Sequence, residues 1–354
     1  MTSVFSRFTG SQIMQALILA GGQGTRLRPL TLNTPKLILP IANRPFLLYQ
    51  IERLRENGIT DIILSLNYKP DKIAEILEDG AKFGVKIRYL VEPSPLGTAG
   101  AYGFAADFLN QTTIVLNGDI LTDLDISAAI EKHKNCQATA TIVLTKVENP
   151  SAYGLVETHA DGRIKRFLEK PNPEELAKTN LDTINAGTYI LEPEVLDLIP
   201  KGESYSFEYG VFPDLLRRRE EFFAYLPDET YWLDIGTPQR YLQAHHDLLA
   251  GRVKDFKTKT NFNTIDLSEN VEIDRKSIID EDCVIKFGAK IINSVLGRGV
   301  FVEENTVIKN SVILSNTQIK TSVSISGSII GNDCHIGNNR VVRAGTILGD
   351  RVSL

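Results

Sequence analysis

The sequence has little cysteine, no long apolar segment and no excess of positive charge, and each of these absences excludes a class of protein. Three cysteines in 354 residues cannot all pair, which fits a reducing cytoplasm better than an oxidising compartment. Apolar runs stay short of the roughly 18 residues that a membrane span needs, and residues 1–13 contain no apolar core of the kind a signal peptide has. A formal net charge of −5 argues against a dedicated nucleic-acid binder. We therefore expect a cytoplasmic protein without a membrane or nucleic-acid partner.

Proline and aromatic residues nearly disappear toward the end of the chain. The last proline is Pro238, and Phe287 and Phe301 are the only aromatic residues in 263–354. A repeat takes their place, because serine followed by two aliphatic residues recurs every 17 residues, at 277–279, 294–296, 311–313 and 328–330. Aliphatic residues between these words are spaced six, six and five apart. Such spacing is typical of a three-sided coil with one inward side chain on each face.

This period predicts a parallel β-helix over residues 264–354, and the stretch IGNDCH-IGNNRV-VRAGTI matches the hexapeptide repeat of left-handed β-helices. The alternative, an antiparallel β-sandwich, does not keep an integral period. Cys283 and Cys334 would lie three coils apart, roughly 14 Å, which exceeds the limit of about 7 Å between the Cα atoms of a disulfide. Both cysteines are therefore predicted to be small buried side chains.

The front of the chain alternates strand-like and helix-like segments. The predicted strands are 15–19, 61–65, 86–90 and 113–116, and the predicted helices lie near 46–57, 70–78 and 98–109. This alternation predicts a Rossmann-like α/β fold with a parallel sheet covered on both faces. Shorter strand signals from about residue 138 indicate a mixed sheet there. With a linker near 250–263, we expect a catalytic domain at 14–250 and the β-helix at 264–354.

A glycine-rich turn, Gly21-Gly22-Gln23-Gly24-Thr25-Arg26, follows the first predicted strand. Glycines there let backbone N–H groups approach a polyanion, since no Cβ is in the way. The dinucleotide fingerprint is excluded because Leu27 stands where its third glycine belongs, and no Gly-Lys-Ser/Thr exists for a P-loop. The turn with Arg26 and Lys36 is thus either a different phosphate-binding loop or a tight turn with surface cations.

Further motifs follow this turn in a fixed order. They are LAGGQGTRLRPLT with TPK, then EPSPLGTAG (92–100), NGDIL (117–121), YGLV (153–156), FLEKP (167–171), INAGTYIL (184–191) and YWLDIG (231–236). The set resembles the signatures of the sugar-nucleotide pyrophosphorylases, from about residue 14 to the end of the chain, since many members also have a left-handed β-helix. EPSPLGTAG, INAGTYIL and SFEYGVFPDLL are most similar to the mannose-1-phosphate guanylyltransferase branch. One departure is that the family usually has Pro-Lys-Pro where Pro35-Lys36-Leu37 stands; the lysine is retained.

The resemblance implies direct attack of a sugar 1-phosphate on the α-phosphorus of a nucleoside triphosphate, with Mg²⁺ as the cofactor. The implied catalytic set is Arg26 and Lys36 on the departing pyrophosphate and Asp119 and Asp234 on the metal. The implied nucleotide-binding residues are Gly21, Gly22, Gly24, Thr25, Glu92, Gly97 and Thr98. The implied residues for the sugar 1-phosphate are Gly154, Glu169, Lys170, Asn185 and Gly187.

Each of these side chains also has an ordinary structural interpretation. An aspartate after a strand, like Asp119, is often a turn or helix-cap residue, and a Glu-Lys pair such as Glu169-Lys170 is usually a solvated surface pair. Glu92 could cap a helix beginning near Thr98. Glu208 is explained equally well as a helix-start residue beside Ser206.

The nucleobase prediction depends on Glu92. By resemblance, this position faces the Watson–Crick edge of the base, where guanine presents two adjacent donors. A carboxylate is acceptor-only and can accept from both, whereas uracil, thymine and adenine each present an acceptor there. GTP is the predicted nucleotide, and mannose 1-phosphate the predicted sugar phosphate.

Other functions stay open at this point. They are a pyrophosphorylase for UDP-, dTDP- or ADP-glucose, a non-catalytic regulatory subunit of the same fold, and an acyltransferase that uses the β-helix. The acyltransferase is disfavoured because His335 alone could serve it and the regular period leaves no inserted loop. The five histidines show no metal-ligand spacing. Because the last coils of a β-helix need covering and no capping helix precedes Leu354, we expect a homo-oligomer assembled partly through residues 264–354.

Overall fold

The computed structural model describes residues 14–177, 179, 181–254, 256, 260 and 262–354. The expectation about a signal segment in residues 1–13, and part of the predicted linker, lie outside these residues. Within the described chain, no helix is long and apolar enough to cross a membrane.

The front of the chain forms thirteen strands. They are β1 (Gln15–Ala20), β2 (Pro40–Ile41), β3 (Arg44–Pro45), β4 (Asp61–Leu66), β5 (Lys86–Val91), β6 (Thr113–Asn117), β7 (Ile120–Thr122), β8 (Ala140–Lys146), β9 (Gly154–Thr158), β10 (Ile164–Glu169), β11 (Thr183–Leu191), β12 (Phe222–Tyr225) and β13 (Trp232–Asp234). The helices are α1 (Leu47–Glu56), α2 (Pro70–Leu77), α3 (Gly97–Phe104), α4 (Ile126–Asn135), α5 (Pro173–Ala177), α6 (Phe212–Arg218) and α7 (Pro238–Leu249).

Nine of these strands form one mixed sheet with the path β10-β9-β11-β6-β1-β4-β5, and β8 joins β11 to β12. Strands β5, β4, β1 and β6 are parallel, and β11 runs antiparallel beside β6. On β1, Ala16 and Ile18 pack into one apolar cluster and Leu17 into another on the opposite face. Because side chains alternate along a strand, this arrangement confirms the predicted sheet with both faces covered.

The predicted elements of this region are found close to their expected limits, with one correction. The helix predicted at 98–109 is shorter, since α3 ends at Phe104 and a 3₁₀ turn follows at Ala106–Phe108. The tighter turn brings the chain back within a few residues to Thr113, where β6 begins.

A small second sheet forms beside the large one. Strand β13 pairs antiparallel with β7, so that Asp234 lies opposite Ile120. The Ile235 N–H donates to the Asp119 carbonyl oxygen at 3.0 Å. This pairing joins two motifs that are far apart in the sequence.

The tail folds as five coils of parallel strands. The fifteen strands are β14 (Asp266–Leu267), β15 (Glu272–Ile273), β16 (Ile278–Ile279), β17 (Val284–Ile285), β18 (Lys290–Ile292), β19 (Val295–Leu296), β20 (Phe301–Val302), β21 (Val307–Lys309), β22 (Val312–Ile313), β23 (Gln318–Ile319), β24 (Ser324–Ser326), β25 (Ile329–Ile330), β26 (His335–Ile336), β27 (Val341–Val342) and β28 (Ile347–Leu348). They form three five-stranded sheets, each containing every third strand. The predicted β-helix is confirmed.

The interior of the β-helix contains the aliphatic residues that the period singled out. All twelve are buried: Ile279, Ile285, Ile291, Leu296, Val302, Ile308, Ile313, Ile319, Ile325, Ile330, Ile336 and Val342. Cys283 and Cys334 are unpaired and buried among them, as predicted. The repeated serines stack, because the N–H of each of Ser294, Ser311 and Ser328 donates at 3.1 Å to the serine Oγ one coil earlier.

The β-helix packs on the α/β part of the chain through one apolar cluster. Val295, Val312 and Ile329, from the sheet that contains β19, belong to this cluster with Leu27 and Tyr241 of the α/β part. The segment after the glycine-rich turn, which contains Leu27 and Leu30, therefore packs in the same cluster as the β-helix.

Candidate functional site

A cavity of about 340 Å³ opens where β1 and β6 end. Its lining includes the predicted residues Gly21, Gly22, Lys36, Glu92, Gly97, Thr98 and Asp119, together with Asn117. This is the edge at which parallel strands present their carboxyl ends and where open α/β sheets bind ligands. We call it the first cavity.

The turn that closes the first cavity depends on a left-handed glycine. Gly24 has φ +63°, and a Cβ there would lie 3.1 Å from side-chain carbons of both Lys36 and Thr31. The Gly24 carbonyl oxygen accepts from the Thr31 hydroxyl at 2.7 Å. Gly24 thus lets the turn lie directly against the segment that contains Lys36. Neither Gly24 nor Thr25, which were both predicted to bind the nucleotide, lines the first cavity.

Glu92 is buried at the wall of the first cavity and has contacts on both oxygens. Its Oε1 accepts from the Ser65 hydroxyl at 2.9 Å, and its Oε2 accepts from the Leu96 N–H at 3.0 Å, just before α3. A carboxylate has about four lone-pair sites, so these two contacts leave acceptor capacity. The geometry therefore accommodates both interpretations of Glu92, as a cap of the α3 region and as an acceptor toward a ligand.

The start of α3 is fixed to a distant segment. Gly97 has φ +72°, and a Cβ there would lie 2.6 Å from the Tyr205 carbonyl oxygen. The Thr98 hydroxyl donates to Glu208 at 2.9 Å and accepts from the Phe207 N–H at 2.9 Å. Glu208 also accepts from the Ser206 hydroxyl at 2.6 Å, which is the contact expected of a helix-start residue beside this serine. It lines a second cavity as well.

The second cavity has a volume of about 430 Å³ and contains all five residues predicted for the sugar 1-phosphate. These are Gly154, Glu169, Lys170, Asn185 and Gly187. Gly187 lies in an irregularity of β11 with φ +73°, and a Cβ there would lie 2.6 Å from Asn117 Nδ2. A Cβ on Gly154 would lie 2.6 Å from Glu169 Oε2. Both glycines allow a polar side chain to approach the backbone at the cavity wall.

The two charged residues of the FLEKP motif differ in their surroundings. Glu169 has an 11% exposed side chain, whereas that of Lys170 is 63% exposed. Burial, together with the nearby charge of Glu208, raises the pKa of Glu169, and Lys170 opposes this from 3.6 Å. A largely buried carboxylate next to an exposed cation is thus part of the wall, and the pair is more than a solvated surface pair.

The two cavities meet at Asn117 and Asp119, which line both. Asp119 forms an ion pair with Lys36, whose Nζ lies 2.7 Å from Oδ2. Asp234 lines the second cavity, because β13 pairs with β7, and its Oδ1 accepts from the Gly236 N–H at 2.7 Å. The two carboxylates predicted to act together thus lie on the wall of one cavity.

Arg26 is found at the second cavity rather than at the first. A Cβ on Gly236 would lie 2.7 Å from Asp234 Oδ1 and 2.9 Å from Arg26 Nη2. Gly236 therefore lets the Arg26 guanidinium approach Asp234. The arginine of the glycine-rich turn and the aspartate of the YWLDIG motif come together across the site.

Two carboxylates on one cavity wall suit Mg²⁺, which takes few protein ligands and completes its shell with phosphate oxygens and water. Among the described residues, no group of three or more His, Cys, Asp and Glu side chains forms a dedicated metal cage. The donor set of Asp119 and Asp234 therefore fits Mg²⁺ bound together with a phosphate ligand.

Several residues of the second cavity were not singled out from the sequence, among them two aromatic residues and an arginine. Tyr153 and Trp232 pack edge to face with ring centroids 5.4 Å apart, and Arg240 lies near both Tyr153 and Asp234. The two aromatic residues could have been found, since they lie inside the motifs YGLV and YWLDIG. Nothing in the local pattern marks Arg240, because its place at the cavity depends on how α7 begins.

Two protein-family models match this chain. The nucleotidyl transferase family model matches residues 15–251, and the model of the EIF2B subunit epsilon LbH domain matches residues 259–354. A mannose-1-phosphate guanylyltransferase of Mycobacterium tuberculosis is 35% identical, over 85% of this chain and 79% of that protein.

Related proteins with other named substrates are similarly close. A UTP–glucose-1-phosphate uridylyltransferase of Synechocystis is 35% identical, over 85% of this chain and 82% of that protein. A solved structure from Bacillus anthracis, assigned as a glucose-1-phosphate thymidylyltransferase, has 26% identity and a TM-score of 0.60. That similarity covers 71% of this chain and 99% of the solved one.

Proposed function

Since this chain belongs to the nucleotidyl transferase family, we propose that it transfers the GMP part of GTP to mannose 1-phosphate, releasing pyrophosphate. Transfer of a nucleotidyl group to a sugar 1-phosphate is the activity that its named relatives have in common. A divalent metal is general in the family, and we propose Mg²⁺ here. GTP and mannose 1-phosphate are the finer part of the proposal.

The observation that supports this proposal best is the junction of the two cavities at Asp119. One cavity has the glycine-rich turn and Glu92 in its wall, and the other has Glu169, Asn185 and Gly187. A nucleotide in the first and a sugar in the second would bring their phosphates together at Asp119. Such alignment of two reactants is a large part of catalysis by positioning.

The reaction that suits this arrangement is direct displacement at phosphorus. A phosphate oxygen of the sugar 1-phosphate forms a bond to the α-phosphorus of the triphosphate, and the bond to the pyrophosphate oxygen breaks. Both reactants are anions, so the residues act chiefly by holding and neutralising them. Lys36 and Arg26 are the cations proposed for the departing pyrophosphate.

Asp119 and Asp234 are the residues that would hold Mg²⁺, and the metal would supply positive charge to the phosphate oxygens at the reacting centre. Asp119 and Lys36 are already paired at 2.7 Å. The lysine thus holds the carboxylate in one orientation. Direct displacement needs no covalent enzyme intermediate, and none is proposed.

Glu92 supports guanine as the base. Its carboxylate is buried at the wall of the first cavity and keeps acceptor capacity beyond its contacts with Ser65 and Leu96. Facing the two donors of guanine, it would form a charge-assisted pair. A pyrimidine carbonyl placed opposite the same oxygen would leave two acceptors unpaired, which costs roughly 1–3 kcal/mol.

For the sugar, we propose that Glu169, Asn185 and Gly187 bind hydroxyl groups and that Gly154 allows the ring to lie close to the backbone. Lys170 would approach the sugar phosphate from the rim of the second cavity. The catalytic unit is proposed to be residues 14–250, with the β-helix at 264–354 as an assembly surface and the cytoplasm as the location.

The test is a substrate panel on the purified full-length protein with Mg²⁺. GTP, UTP, dTTP and ATP are each paired with mannose 1-phosphate and glucose 1-phosphate, and pyrophosphate release is measured. We expect the highest kcat/KM for GTP with mannose 1-phosphate. UTP with glucose 1-phosphate is the competing pair, since a relative of equal identity is named for it. A higher kcat/KM for that pair would refute GTP and mannose 1-phosphate as the substrates. It would leave the proposed nucleotidyl transfer to a sugar 1-phosphate standing.

A further inference from the structure

The first turn of α7 places an arginine at the wall of the second cavity. Thr237 caps the helix, with its hydroxyl accepting from the Arg240 N–H at 3.4 Å, and Pro238 occupies the first helical position. The Arg240 side chain turns back toward the cavity, where Nη1 lies 3.0 Å from Asp234 Oδ2. Its guanidinium carbon lies 5.5 Å from the centre of the Tyr153 ring.

This is an unusual place for a cation. The N-terminal end of a helix has a partial positive charge, so an arginine in the first turn is repelled by its own helix. Arg240 is held there by Asp234 and by the face of Tyr153, through an ion pair and a cation–π contact. Because its own helix end repels the guanidinium, contact with an anion stabilises Arg240. A phosphate dianion carries more negative charge than the single carboxylate of Asp234 and would stabilise it further.

The charges of the second cavity show why a further cation is needed. Its lining contains four carboxylates, Asp119, Glu169, Glu208 and Asp234, and three cations, Arg26, Lys170 and Arg240. A sugar 1-phosphate is close to a dianion at neutral pH, so its phosphate must lie near the cations. Lys170 is 63% exposed and stays next to Glu169, at the sugar end.

We propose that Arg240 binds the phosphate group of the sugar 1-phosphate, an inference that rests on the proposed transfer to such a substrate. Arg240 forms an ion pair with Asp234, so it lies at the end of the second cavity where the reaction would occur. Arg26, which also approaches Asp234, is the cation proposed for the departing pyrophosphate. A guanidinium has five N–H donors in a planar fork. The fork can keep one contact with Asp234 and use the remaining donors on two phosphate oxygens.

The alternative is that Arg240 only orients Asp234. A residue with that role alone would affect turnover and leave the affinity for the sugar phosphate unchanged. The two roles therefore predict different kinetic parameters, and the affinity for each substrate separates them.

The experiment compares Arg240→Gln and Arg240→Lys with the wild-type full-length protein. Arg217→Gln is the matched control, since Arg217 also pairs with an aspartate, Asp214 at 2.9 Å, but lines neither cavity. We measure KM for the sugar 1-phosphate and for the nucleoside triphosphate. Calorimetric titration of mannose 1-phosphate in the presence of α,β-methylene GTP gives affinity without turnover.

Arg240→Gln is expected to raise KM for the sugar 1-phosphate at least tenfold and to weaken its calorimetric binding similarly, because a charge-assisted contact is lost. KM for the nucleotide should stay within twofold. Arg240→Lys should show a smaller loss, because a lysine keeps the charge and not the fork, and Arg217→Gln should match the wild type.

An unchanged sugar-phosphate affinity in Arg240→Gln, with or without a fall in kcat, would overturn the inference and leave the proposed function standing. A wild-type protein that transfers no nucleotidyl group to any sugar 1-phosphate would overturn the proposed function and this inference together.

Discussion

At the scale of single residues, the proposed reaction centre contains two carboxylates that are each paired with a cation. Asp119 pairs with Lys36, and Asp234 pairs with Arg240. The pairs hold the orientation of the carboxylates in a partly buried site. Single-charge substitutions therefore test the function proposed for this centre directly.

Replacing Asp119 or Asp234 by Asn should lower kcat at least 100-fold, since each change removes a group that stabilises charge at the reacting phosphates. The Asn side chain keeps nearly the same volume, so the thermal midpoint should stay close to the wild-type value. Asp214→Asn on α6, outside both cavities, is the control. Wild-type turnover in Asp119→Asn would remove this residue from the reaction centre.

The contacts of Glu92 make Glu92→Gln a clean test of base recognition. A glutamine can accept from the Leu96 N–H with its oxygen and donate to the Ser65 hydroxyl with its amide, so both contacts of the wild type survive. The ratio of kcat/KM for GTP to that for UTP should fall about tenfold or more, because the amide offers a donor and an acceptor. An unchanged ratio would mean that Glu92 only supports α3.

At the scale of elements, α7 joins the two parts of the chain. Tyr241 and Leu248 of this helix belong to the apolar cluster shared with the β-helix, and the Tyr241 hydroxyl donates to the Pro40 carbonyl oxygen. His245 is buried next to them, and its Nδ1 accepts from the Ala42 N–H at 3.2 Å. This histidine must therefore stay neutral while the element is packed.

The packing of α7 predicts a loss of stability in acid. Burial, together with the neighbouring His246, lowers the pKa of His245 to about 3, whereas the unfolded chain binds the proton near pH 6.5. Between these values the unfolded state binds more protons, so stability falls as pH falls. The titration of His245 alone should lower the free energy of unfolding by about 2 kcal/mol between pH 6.5 and pH 5.

The substitution His245→Asn checks this, because asparagine keeps an acceptor for the Ala42 N–H and does not titrate. Urea unfolding at pH 7 and pH 5 should show a smaller acid loss in the variant than in the wild type. His335→Asn is the control, since His335 is exposed on β26 and its removal should leave the acid loss unchanged. Equal acid losses in all three proteins would contradict the role of His245.

At the scale of the whole molecule, the β-helix has one sheet against the α/β part of the chain, and the described strands of its other two sheets contribute nothing to the shared cluster. The inner sheet contributes Val295, Val312 and Ile329 to the shared cluster. Phe287 and Val341, which do not belong to this sheet, are 47% and 69% exposed. The outward part of the β-helix therefore has apolar side chains available for contact with another subunit.

We expect the full-length protein to form a homo-oligomer partly through residues 264–354. Multi-angle light scattering at micromolar concentration measures this, and a monomer there would contradict it. Truncation after Gly251 should give a smaller assembly or an aggregating protein, since it exposes the apolar partners of Val295 and Val312 on the catalytic domain. A soluble truncated protein with the wild-type assembly size would show that the contacts lie elsewhere.

The sequence by itself determined the β-helix almost completely. Each coil contacts only its neighbours, so a residue such as Ile308 is placed by the period of its own segment, and the repeated Ser294 and Ser311 mark successive coils. The same holds for β1 and the turn that contains Gly24, where local alternation and a left-handed glycine are readable in a few residues.

Only the tertiary structure decided which distant groups meet. Asp119 and Asp234 share a cavity because β7 pairs with β13, and no local period encodes a pairing between segments so far apart. Arg240 lies at that cavity because α7 begins at Pro238 and turns its first residues toward Asp234. Local patterns set the conformation of a segment, whereas the contacts of its side chains depend on how separate segments pack. The proposed reaction centre consists of such contacts.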